Sequence, residues 1–232
     1  MNPSTPGMRE WIEDVLAQCS LDDDCLGYLL SRGATMNVIE DWGMTTFMPP
    51  TVEAPDEMFK ERYGKHGEFF EGRAVIPLWS PRGTLLGFDS RAIGDTKKAS
   101  RYMIGDRPWA VCWIGAKTAM RKIWEGKDPW VVEGAFDVFA LMHALDAPVL
   151  GAGPARLVWG QLEFLRRFCK FVNLAFDRDA TGRKGTEQAM KDLARINVGC
   201  RDIPYGKPGD DPGAIWLRGG ANGMRGAFPY TN

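Results

Sequence analysis

The sequence has little of what a zinc site, a disulfide framework or a membrane span requires. Its 232 residues include 2 histidines and 5 cysteines, and the cysteines are scattered without a C-x-x-C pair. A Cys/His zinc site is therefore not indicated, and reduced thiols are expected. No apolar run approaches the ~18 residues of a membrane helix, and the N-terminus lacks the basic and apolar regions of a signal peptide. We therefore expect a cytoplasmic protein.

Two common phosphate-binding loops are also missing. Residues 182–186 lack the earlier glycine of a P-loop, and residues 151–153 form an incomplete dinucleotide-binding fingerprint. Both segments are predicted to be strand-to-helix turns. No serine or cysteine has a partner histidine at a recognisable spacing, so a hydrolase with a nucleophilic side chain is not indicated.

The net charge is only −1, but one segment is strongly basic. Between residues 91 and 122, eight Lys and Arg side chains stand against two Asp, which gives +6 locally and leaves −7 for the remainder. Aromatic residues are interleaved with these cations, as in proteins that bind single-stranded nucleic acid through phosphates and stacked bases. A solvated charged face above core tryptophans explains the same pattern equally well.

The first part of the chain, residues 1–128, is predicted to form a smaller, basic, mixed α/β subdomain that binds template or nucleotide. Hydrophobic periodicity predicts two helices within residues 8–32 and a third at 36–42. Residues 73–79 and 84–92 are β-prone and are joined by Ser-Pro-Arg-Gly, which suits a type I turn, so a β-hairpin is expected.

Strands and helices alternate in the second part, residues 129–232. Four strands are predicted at 130–133, 148–151, 171–177 and 198–203, with helices between them. This alternation predicts an α/β fold with a parallel sheet flanked by helices. The tail after residue 206 is rich in Gly and Pro and is expected to contain one short helix near 214–218.

Acidic residues follow two of these strands. Glu133 ends the first strand, and Asp177 and Asp179 end the third. Ligands bind at the carboxyl edge of a parallel sheet, so the three carboxylates are expected to lie together if these strands are neighbours. Such carboxylates repel one another unless a cation lies among them, and hard oxygen ligands favour Mg²⁺. Asp137 is either a further member of this group or a carboxylate in the first turn of a helix.

Two motifs resemble those of a known domain. EGAFDV at 133–138 and DRDATG at 177–182 are similar to the motifs of the Toprim domain, which topoisomerases and primases share. The resemblance narrows to the catalytic core of bacterial-type, DnaG-like DNA primases. Residues 24–48, the hairpin, SRYM at 100–103 and the acidic segment 206–212 are also similar to that family. A compact core of this kind is expected of a phage or mobile element.

The resemblance implies DNA-templated synthesis of short RNA primers by nucleotidyl transfer dependent on Mg²⁺ or Mn²⁺. Glu133 would be the essential acid, and it would surround the metal together with Asp177, Asp179, Asp137 and Asp211. The residues implied in template or nucleotide binding are Arg73, Arg91, Lys97, Lys98, Arg101, Tyr102 and Lys117.

The chain departs from the family pattern at several positions. Arg178 and Thr181 stand where small residues are usual, and Gly213 replaces the final acid of the third motif, for which Asp210 is a candidate substitute. The implied partners are single-stranded DNA, ribonucleoside triphosphates, a replicative helicase and a separate zinc-binding template-recognition module. Two alternatives stay open, namely a Toprim metal-dependent nuclease and a non-catalytic nucleic-acid-binding adaptor in replication.

Overall fold

The computed structural model describes residues 7–93, 99–104, 112–153 and 156–228. The chain divides into two compact units. The first unit comprises Met1–Leu30, Met36–Leu78 and Thr84–Pro108, and the second comprises Ser31–Thr35, Trp79–Gly83 and Trp109–Asn232. None of the helices in the described ranges is both long enough and apolar enough to cross a lipid bilayer.

The first unit contains helices and a four-stranded antiparallel sheet, whose strand order is β1-β2-β3-β4. Its elements are α1 (Met8–Gln18), α2 (Asp23–Ser31), α3 (Met36–Trp42), β1 (Thr45–Thr46), α4 (Glu57–Tyr63), a 3₁₀ turn (Glu68–Phe70), β2 (Ala74–Trp79), β3 (Leu85–Arg91) and β4 (Ala99–Met103). Three helices and the β2–β3 hairpin lie where the sequence predicts them.

Local chemistry explains where these elements begin and turn. The Asp22 carboxylate accepts a hydrogen bond from the Cys25 amide (2.7 Å), which caps α2. In the hairpin, the Gly83 amide donates to the Ser80 carbonyl (2.9 Å), as in the predicted turn, and Gly83 has a φ of 79° that glycine adopts without strain. A cluster of aromatic rings that includes Phe59, Phe70 and Phe88 fills the core of this unit.

The second unit contains a parallel sheet with the order β6-β5-β7-β8. Its elements are α5 (Ala116–Trp124), β5 (Trp130–Val132), α6 (Ala135–Ala144), β6 (Val149–Gly151), α7 (Trp159–Phe168), β7 (Phe171–Leu174), α8 (Ala180–Arg195), β8 (Gly199–Asp202) and α9 (Pro212–Ala227). All four strands are parallel, as the strand–helix alternation predicts. The strands are short, and β5 and β6 are apolar and fully buried because helices cover the sheet there, whereas the edge strand β8 is polar and mostly exposed.

Residues 112–128 belong to this second unit, whereas the sequence predicts a boundary after residue 128. Trp113, Met120 and Ile123 share one buried apolar cluster with Val131 and Leu150 of the parallel sheet. Each fully buried side chain of this size stabilises the fold by roughly 1.5–3 kcal/mol, so the packing of α5 with the parallel sheet contributes substantially to this unit. Pro129 marks the start of a strand but not the boundary between the units.

Helix α8 begins at Ala180, because Asp179 caps it. Helix α9 is longer than the sequence predicts. Helix α9 covers Pro212–Ala227 rather than 214–218, with non-helical backbone at Gly220. Its glycines lower the intrinsic helix propensity, whereas burial of Ile215 and Met224 stabilises the helix through tertiary packing that the local sequence does not reveal.

Candidate active site

The carboxyl edge of the parallel sheet brings two of the predicted acids together. Strands β5 and β7 are adjacent and in parallel register, with Val131 opposite Leu174. Glu133 follows β5 directly, and its Oε1 accepts a hydrogen bond from the backbone amide of Asp177 (3.2 Å). The Glu133 carbonyl accepts a second bond from the Gly153 amide (2.9 Å), which fixes the backbone at this position. The ends of β5 and β7 therefore place the Glu133 carboxylate next to Asp177.

Asp177 has the least satisfied side chain of this group. Its Oδ1 is buried and has no hydrogen-bond partner within the described part of the chain. Burial raises the pKa of Asp177 to about 8, and the charges of Asp137, Glu133, Asp211 and Asp179 add to this shift. A buried carboxylate oxygen without a donor is costly, so Asp177 Oδ1 fits a position beside a proton or a cation.

The pKa of Glu133 is raised for the same reasons. Burial is the main cause, the charges of Asp179 and Asp211 contribute, and the hydrogen bond from the Asp177 amide acts in the opposite direction. The negative charges of Asp179 and Asp211 therefore act on Glu133 by electrostatic repulsion at this edge of the sheet. One carboxylate oxygen of Glu133 stays outside the hydrogen bond to Asp177, and this oxygen is available for chemistry.

Asp179 performs a structural task besides any role in binding. It is the N-cap of α8, and its Oδ1 accepts a hydrogen bond from the Gly182 amide (2.7 Å). Gly182 is itself packed against the backbone of Asp177, because a Cβ at this position would overlap the Asp177 carbonyl oxygen and lie 2.9 Å from its nitrogen. The first turn of α8 thus fixes the positions of Asp177 and Asp179 relative to each other.

Asp137 connects two helix starts. Its Oδ2 accepts from the Gly134 amide (2.9 Å) at the start of α6, and its Oδ1 accepts from the Gly213 amide (3.0 Å) at the start of α9. Burial raises the pKa of Asp137 to about 6, with the Asp211 charge as the next cause. Both oxygens are occupied, so these contacts give Asp137 a structural role. The metal-binding role that the resemblance implies for it stays a prediction.

The third acidic segment contributes one acid to the edge rather than two. Asp211 is the N-cap of α9, and its charge raises the pKa of Glu133, Asp137 and Asp177. The Asp210 carboxylate instead accepts from the Lys207 amide (2.8 Å) and pairs with Arg218 (2.8 Å). These contacts lower the pKa of Asp210, the Lys207 amide foremost, and engage both of its carboxylate oxygens. The role of Asp210 as a substitute for the final acid stays a prediction.

The position of that missing acid has little space for a side chain. A Cβ at Gly213 would lie 3.2 Å from Asp211 Oδ1 and 3.3 Å from Asp137 Oδ1. A carboxylate at residue 213 would also bring a further like charge next to two others. Glycine at this position therefore fits the close approach of α9 to the start of α6.

These acids fit a divalent cation by their chemistry, although they do not form a closed cage. The donors are hard carboxylate oxygens, and Asp177 Oδ1 is buried without a partner among the described residues. In the described ranges no three His, Cys, Asp or Glu side chains are arranged so that they could hold a metal ion as they stand. The fit therefore depends on small rotations of side chains whose second oxygens are not engaged.

Arg178, which stands between the two aspartates, is held away from the acids. Its guanidinium lies 3.4 Å from Asp202 at the end of β8 and 5.8 Å from the centroid of the Tyr205 ring. Its backbone amide donates to the Asp210 carbonyl (2.8 Å), and its carbonyl accepts from the Gly209 amide (3.0 Å). The residue thus ties the loop after β7 to the third acidic segment.

Several residues that the resemblance assigns to template or nucleotide binding are engaged with the protein itself. Arg73 lies over the Phe69 ring (4.4 Å) and donates from Nε to the Phe69 carbonyl (3.0 Å), and burial lowers its pKa. Tyr102 packs edge-to-face on Phe59 (4.9 Å) and tilted on Phe88 (5.9 Å), and burial raises its pKa. Tyr102 is thus half-buried and packs against core aromatic residues, and the template- or nucleotide-binding role that the resemblance implies for it stays a prediction.

The remaining cations are placed as follows. Arg91 and Arg101 both contact the buried carboxylate of Asp89. Lys117 is exposed on α5, with its Nζ 6.0 Å from the centroid of the Trp79 ring. Lys97 and Lys98 lie outside the described residues, so their predicted contacts stay predictions.

Two residues that support these groups are not among the predicted site residues. The Tyr205 hydroxyl donates to the Phe176 carbonyl (2.8 Å), which fixes the residue before Asp177, and no local pattern indicates this contact. Asp89 lies within the apolar strand β3 and is 1% exposed. An acid inside a predicted strand is a usable signal, because buried carboxylates are rare unless they are paired.

The second unit matches a known domain family. A family model described as Toprim-like matches residues 130–213. The chain is 27% identical over 191 residues to a DNA primase of Aquifex aeolicus, which covers 81% of this chain and 37% of that protein. It is also 27% identical over 176 residues to a DNA primase of Deinococcus radiodurans, which covers 71% of this chain and 29% of that protein. The chain thus spans little more than a third of the curated relatives at most.

The fold is similar to solved primase structures. The zinc-binding and RNA polymerase domains of the Aquifex aeolicus primase align with a TM-score of 0.73 at 22% identity, over 100% of this chain and 62% of that chain. A DnaG primase catalytic domain bound to single-stranded DNA aligns with a TM-score of 0.72 at 18% identity, over 96% of this chain and 78% of that chain. Residues 130–213 are thus a Toprim-like domain, and the chain has the fold of a DnaG-type primase catalytic core.

Proposed function

We propose that this chain is the catalytic core of a DNA primase that synthesises short RNA primers on single-stranded DNA. The observation that carries the proposal is the meeting of Glu133 and Asp177 at the carboxyl edge of the parallel sheet, with Asp177 Oδ1 buried and without a partner among the described residues. Proteins named DNA primase match this chain in sequence, and primase catalytic cores match it in fold.

Asp177 and Asp179 would hold a divalent cation, with the second oxygens of Glu133 and Asp211 beside it. Mg²⁺ or Mn²⁺, when bound, supplies positive charge that stabilises the attacking and leaving oxygens of a phosphoryl transfer. Burial, together with repulsion from the neighbouring acids, raises the pKa of Asp177 to about 8, and the opposite charge of a bound cation would offset both effects. This proposal explains why an acid with an unpaired buried oxygen is retained at the end of β7.

The reaction proposed is attack of a ribonucleotide 3′-hydroxyl on the α-phosphorus of an incoming nucleoside triphosphate. A bond forms between the 3′-oxygen and the α-phosphorus, the bond to the bridging oxygen breaks, and pyrophosphate leaves. Glu133 Oε2 accepts the hydroxyl proton while Oε1 is held by the Asp177 amide. The raised pKa of Glu133 lies closer to neutral pH, and a general base is most effective when its pKa is close to the working pH.

The cations of the chain would bind the substrates. Arg73, Arg91, Arg101 and Lys117 are the described candidates for contacts with template or triphosphate phosphates, because cations neutralise the charge of both. The partners proposed are a single-stranded DNA template, ribonucleoside triphosphates, a replicative helicase and a separate zinc-binding module. A cytoplasmic location is part of the same proposal.

Glu133→Gln is expected to reduce primer synthesis by at least about 100-fold, because loss of a positioned general base typically costs that much. Single-stranded DNA, labelled ribonucleoside triphosphates and Mg²⁺ or Mn²⁺ are incubated with each protein, and the products are resolved by length. Glu163→Gln is the matched control, since Glu163 is a half-exposed residue of α7 that pairs with Arg166 on the same helix.

The outcomes of this assay separate the candidate functions. RNA synthesis by the wild type that is lost in Glu133→Gln and kept in Glu163→Gln supports the proposal. Cleavage of DNA without synthesis would instead identify a metal-dependent nuclease. DNA binding without any reaction under either metal would favour an adaptor in a replication complex.

Arg178→Ala is expected to leave the rate of primer synthesis within about three-fold of wild type. The ion pair with Asp202 is partly exposed, and such pairs contribute little to stability. Initial rates are measured over a range of Mg²⁺ concentrations. A rate loss above ten-fold, or a shift in the Mg²⁺ dependence, would show that Arg178 acts on the acids after all.

A further inference from the structure

A short loop of the second unit carries one arginine close to the carboxyl edge of the parallel sheet. Residues 31–35 follow α2 in the chain but belong to the second unit. The Arg32 guanidinium carbon lies 4.5 Å from the centroid of the Phe136 ring, and Arg32 is half-buried there. Phe136 is in the first turn of α6, three residues after Glu133. The loop therefore places a cation over a ring that closely follows the proposed general base.

Contacts on both sides of Arg32 hold this loop. Trp216 Nε1 of α9 donates to the Ser31 carbonyl (3.0 Å), and His143 Nε2 donates to the Gly33 carbonyl (2.8 Å), since a carbonyl oxygen can only accept. The rings of Trp216 and His143 are stacked with their centroids 4.3 Å apart. Gly33 has a φ of 94°, and an added Cβ would lie 3.2 Å from the Trp216 ring. The backbone on either side of Arg32 is thus fastened without help from the Arg32 side chain.

The Arg32 side chain extends from this anchor towards the start of α6. His143, which the loop contacts, and Phe136 are seven residues apart on α6, or about 10 Å along the helix axis. The start of α9 adjoins the same ring, because a Cβ at Gly213 would lie 3.5 Å from Phe136 Cβ and 3.2 Å from Asp211 Oδ1. The guanidinium of Arg32 therefore lies beside the helix starts that carry the acids.

The donors of Arg32 are not used by the protein. Within the described part of the chain, its guanidinium forms no ion pair and no hydrogen bond, and its Nε is buried without a partner. The contact with Phe136 uses the face of the guanidinium and leaves the N–H donors at its edge. Phosphate oxygens accept pairs of such donors in one plane. The two Nη groups are therefore available to an anion with phosphate geometry.

The sequence around Arg32 favours a compact anion over a long strand. Arg32 is the only Lys or Arg among residues 10–59, which contain 11 Asp and Glu. A single strand is bound by several cations along its backbone, and the acids of this stretch would repel it. A triphosphate that is held by a divalent cation needs only one or two further cations to offset its charge.

We propose that Arg32 binds the terminal phosphates of the incoming nucleoside triphosphate. The inference rests on the proposed function, since it takes the triphosphate to be bound at the acidic edge. Because Arg32 forms no ion pair with the acids, it suits the β- and γ-phosphates, which extend beyond the reacting α-phosphorus. The loop and Phe136 hold the arginine before the ligand arrives, and this reduces the entropy lost on binding. Arg32 is not among the cations to which the resemblance assigns substrate binding.

A purely structural role is the alternative. If Arg32 only fastened the loop to α6, its substitution would lower the melting temperature and leave the nucleotide affinity of the folded protein unchanged. The proposed role predicts the reverse. The loop stays fastened by Trp216 and His143, so stability changes little, whereas the affinity for a triphosphate falls.

Two variants and one control separate these roles. Arg32→Gln removes the charge, and Arg32→Lys keeps the charge but offers no pair of donors in one plane. Arg167→Gln is the control, since Arg167 is exposed in the last turn of α7, which leads into the amino end of β7 away from the acids. Its change in net charge equals that of Arg32→Gln. Far-ultraviolet circular dichroism and thermal melting identify the folded variants.

Binding is measured in Mg²⁺ with three probes, namely a non-hydrolysable ATP analogue and AMP by calorimetry and labelled oligothymidylate by fluorescence anisotropy. We expect Arg32→Gln to bind the ATP analogue about ten-fold more weakly than wild type, because a hydrogen bond to a charged group typically contributes that much. The affinity of Arg32→Lys should lie between the two. The affinities for AMP and oligothymidylate should stay within about two-fold, because neither probe has β- and γ-phosphates. Arg167→Gln should match the wild type with every probe.

Primer synthesis provides a second readout. The KM for ribonucleoside triphosphates should rise about ten-fold in Arg32→Gln, whereas kcat should stay within about three-fold, because the contact is made in the ground state and the transition state alike. A merely structural role does not produce this difference between KM and kcat.

Unchanged affinity of folded Arg32→Gln and Arg32→Lys for the ATP analogue overturns the inference. An equal loss of affinity for AMP or oligothymidylate also overturns it, as does a wild type that does not bind the ATP analogue. Unchanged affinity together with intact synthesis would refute only the role of Arg32. Binding of the analogue that depends on Arg32 in a protein without synthesis would support the role of Arg32 and contradict the proposed function.

Discussion

Asp177→Asn is expected to abolish primer synthesis, by about 1,000-fold or more, and at the same time to make the metal-free protein more stable. The loss of activity follows from removal of a proposed metal ligand, because stabilisation of phosphoryl oxygens by a cation is worth several kcal/mol. The gain in stability follows because the Asp177 carboxyl, with its pKa raised to about 8, must either take up a proton or carry a partly buried charge near neutral pH, whereas asparagine does neither.

The stability change is measured as the melting temperature in EDTA and again in Mg²⁺. For a chain of this length each kcal/mol corresponds to about 2–4 °C, and we expect an increase of roughly that size for the variant in EDTA. Mg²⁺ should raise the melting temperature of the wild type, because it binds only the folded acids, and should raise that of the variant much less. Opposite effects on activity and stability are the mark of a functional site.

Asp146→Asn is the matched control for this experiment. Asp146 also loses one negative charge on substitution, but its side chain is exposed and pairs with Lys122 (2.9 Å) and Lys127 (2.6 Å). The control should keep its activity and gain no stability in EDTA. A wild-type melting temperature that does not respond to Mg²⁺, together with normal synthesis by Asp177→Asn, would contradict the assignment of Asp177 as a ligand.

Gly182→Ala is expected to destabilise the protein by about 2–4 kcal/mol and to reduce primer synthesis by about 100-fold. The added Cβ would overlap the Asp177 carbonyl oxygen and would lie 2.8 Å from the Asp177 carbonyl carbon. These are backbone atoms that no rotamer change can displace. The first turn of α8 must therefore move away from the end of β7, and the relation between Asp177 and Asp179 changes with it.

The control for this prediction is Gly27→Ala in α2, where an added Cβ meets no atom within 4 Å. Alanine favours the helix there by up to about 1 kcal/mol, so this variant should melt at the same or a higher temperature and keep its activity. Thermal melting and primer synthesis are measured for both variants. Equal stability of Gly182→Ala and the wild type would show that α8 tolerates displacement from Asp177.

The sequence predicts the parallel sheet because its signals are local. Apolar strands alternate with helices along the chain, and this alternation predicts parallel strands that are joined by helical crossover connections. Glu133 and Asp177 each follow one of these strands, so their position at the carboxyl edge follows from chain order. The hairpin at residues 73–92 is predicted equally well, since Pro and Gly mark its turn.

Residues 112–128 and helix α9 are less predictable because tertiary packing decides them. Helix α5 carries basic residues and was grouped with the basic segment, but the apolar face of Met120 and Ile123 packs with the parallel sheet. The glycines of α9 predict little helix, and burial of Met224 overrides them. In both cases the residues that the helix packs against are distant in the sequence.

The sequence by itself determined the α/β alternation, the strand ends that carry Glu133 and Asp177, and the resemblance to Toprim primase cores, because each depends on residues close together in the chain. Only the tertiary structure decided which polar side chains are already occupied. It shows that Asp137 joins two helix starts, that Asp210 pairs with Arg218, and that Asp89 draws together Arg91 and Arg101. These roles depend on hydrogen bonds and ion pairs between separate elements, and the spacing of residues along the chain contains no record of them.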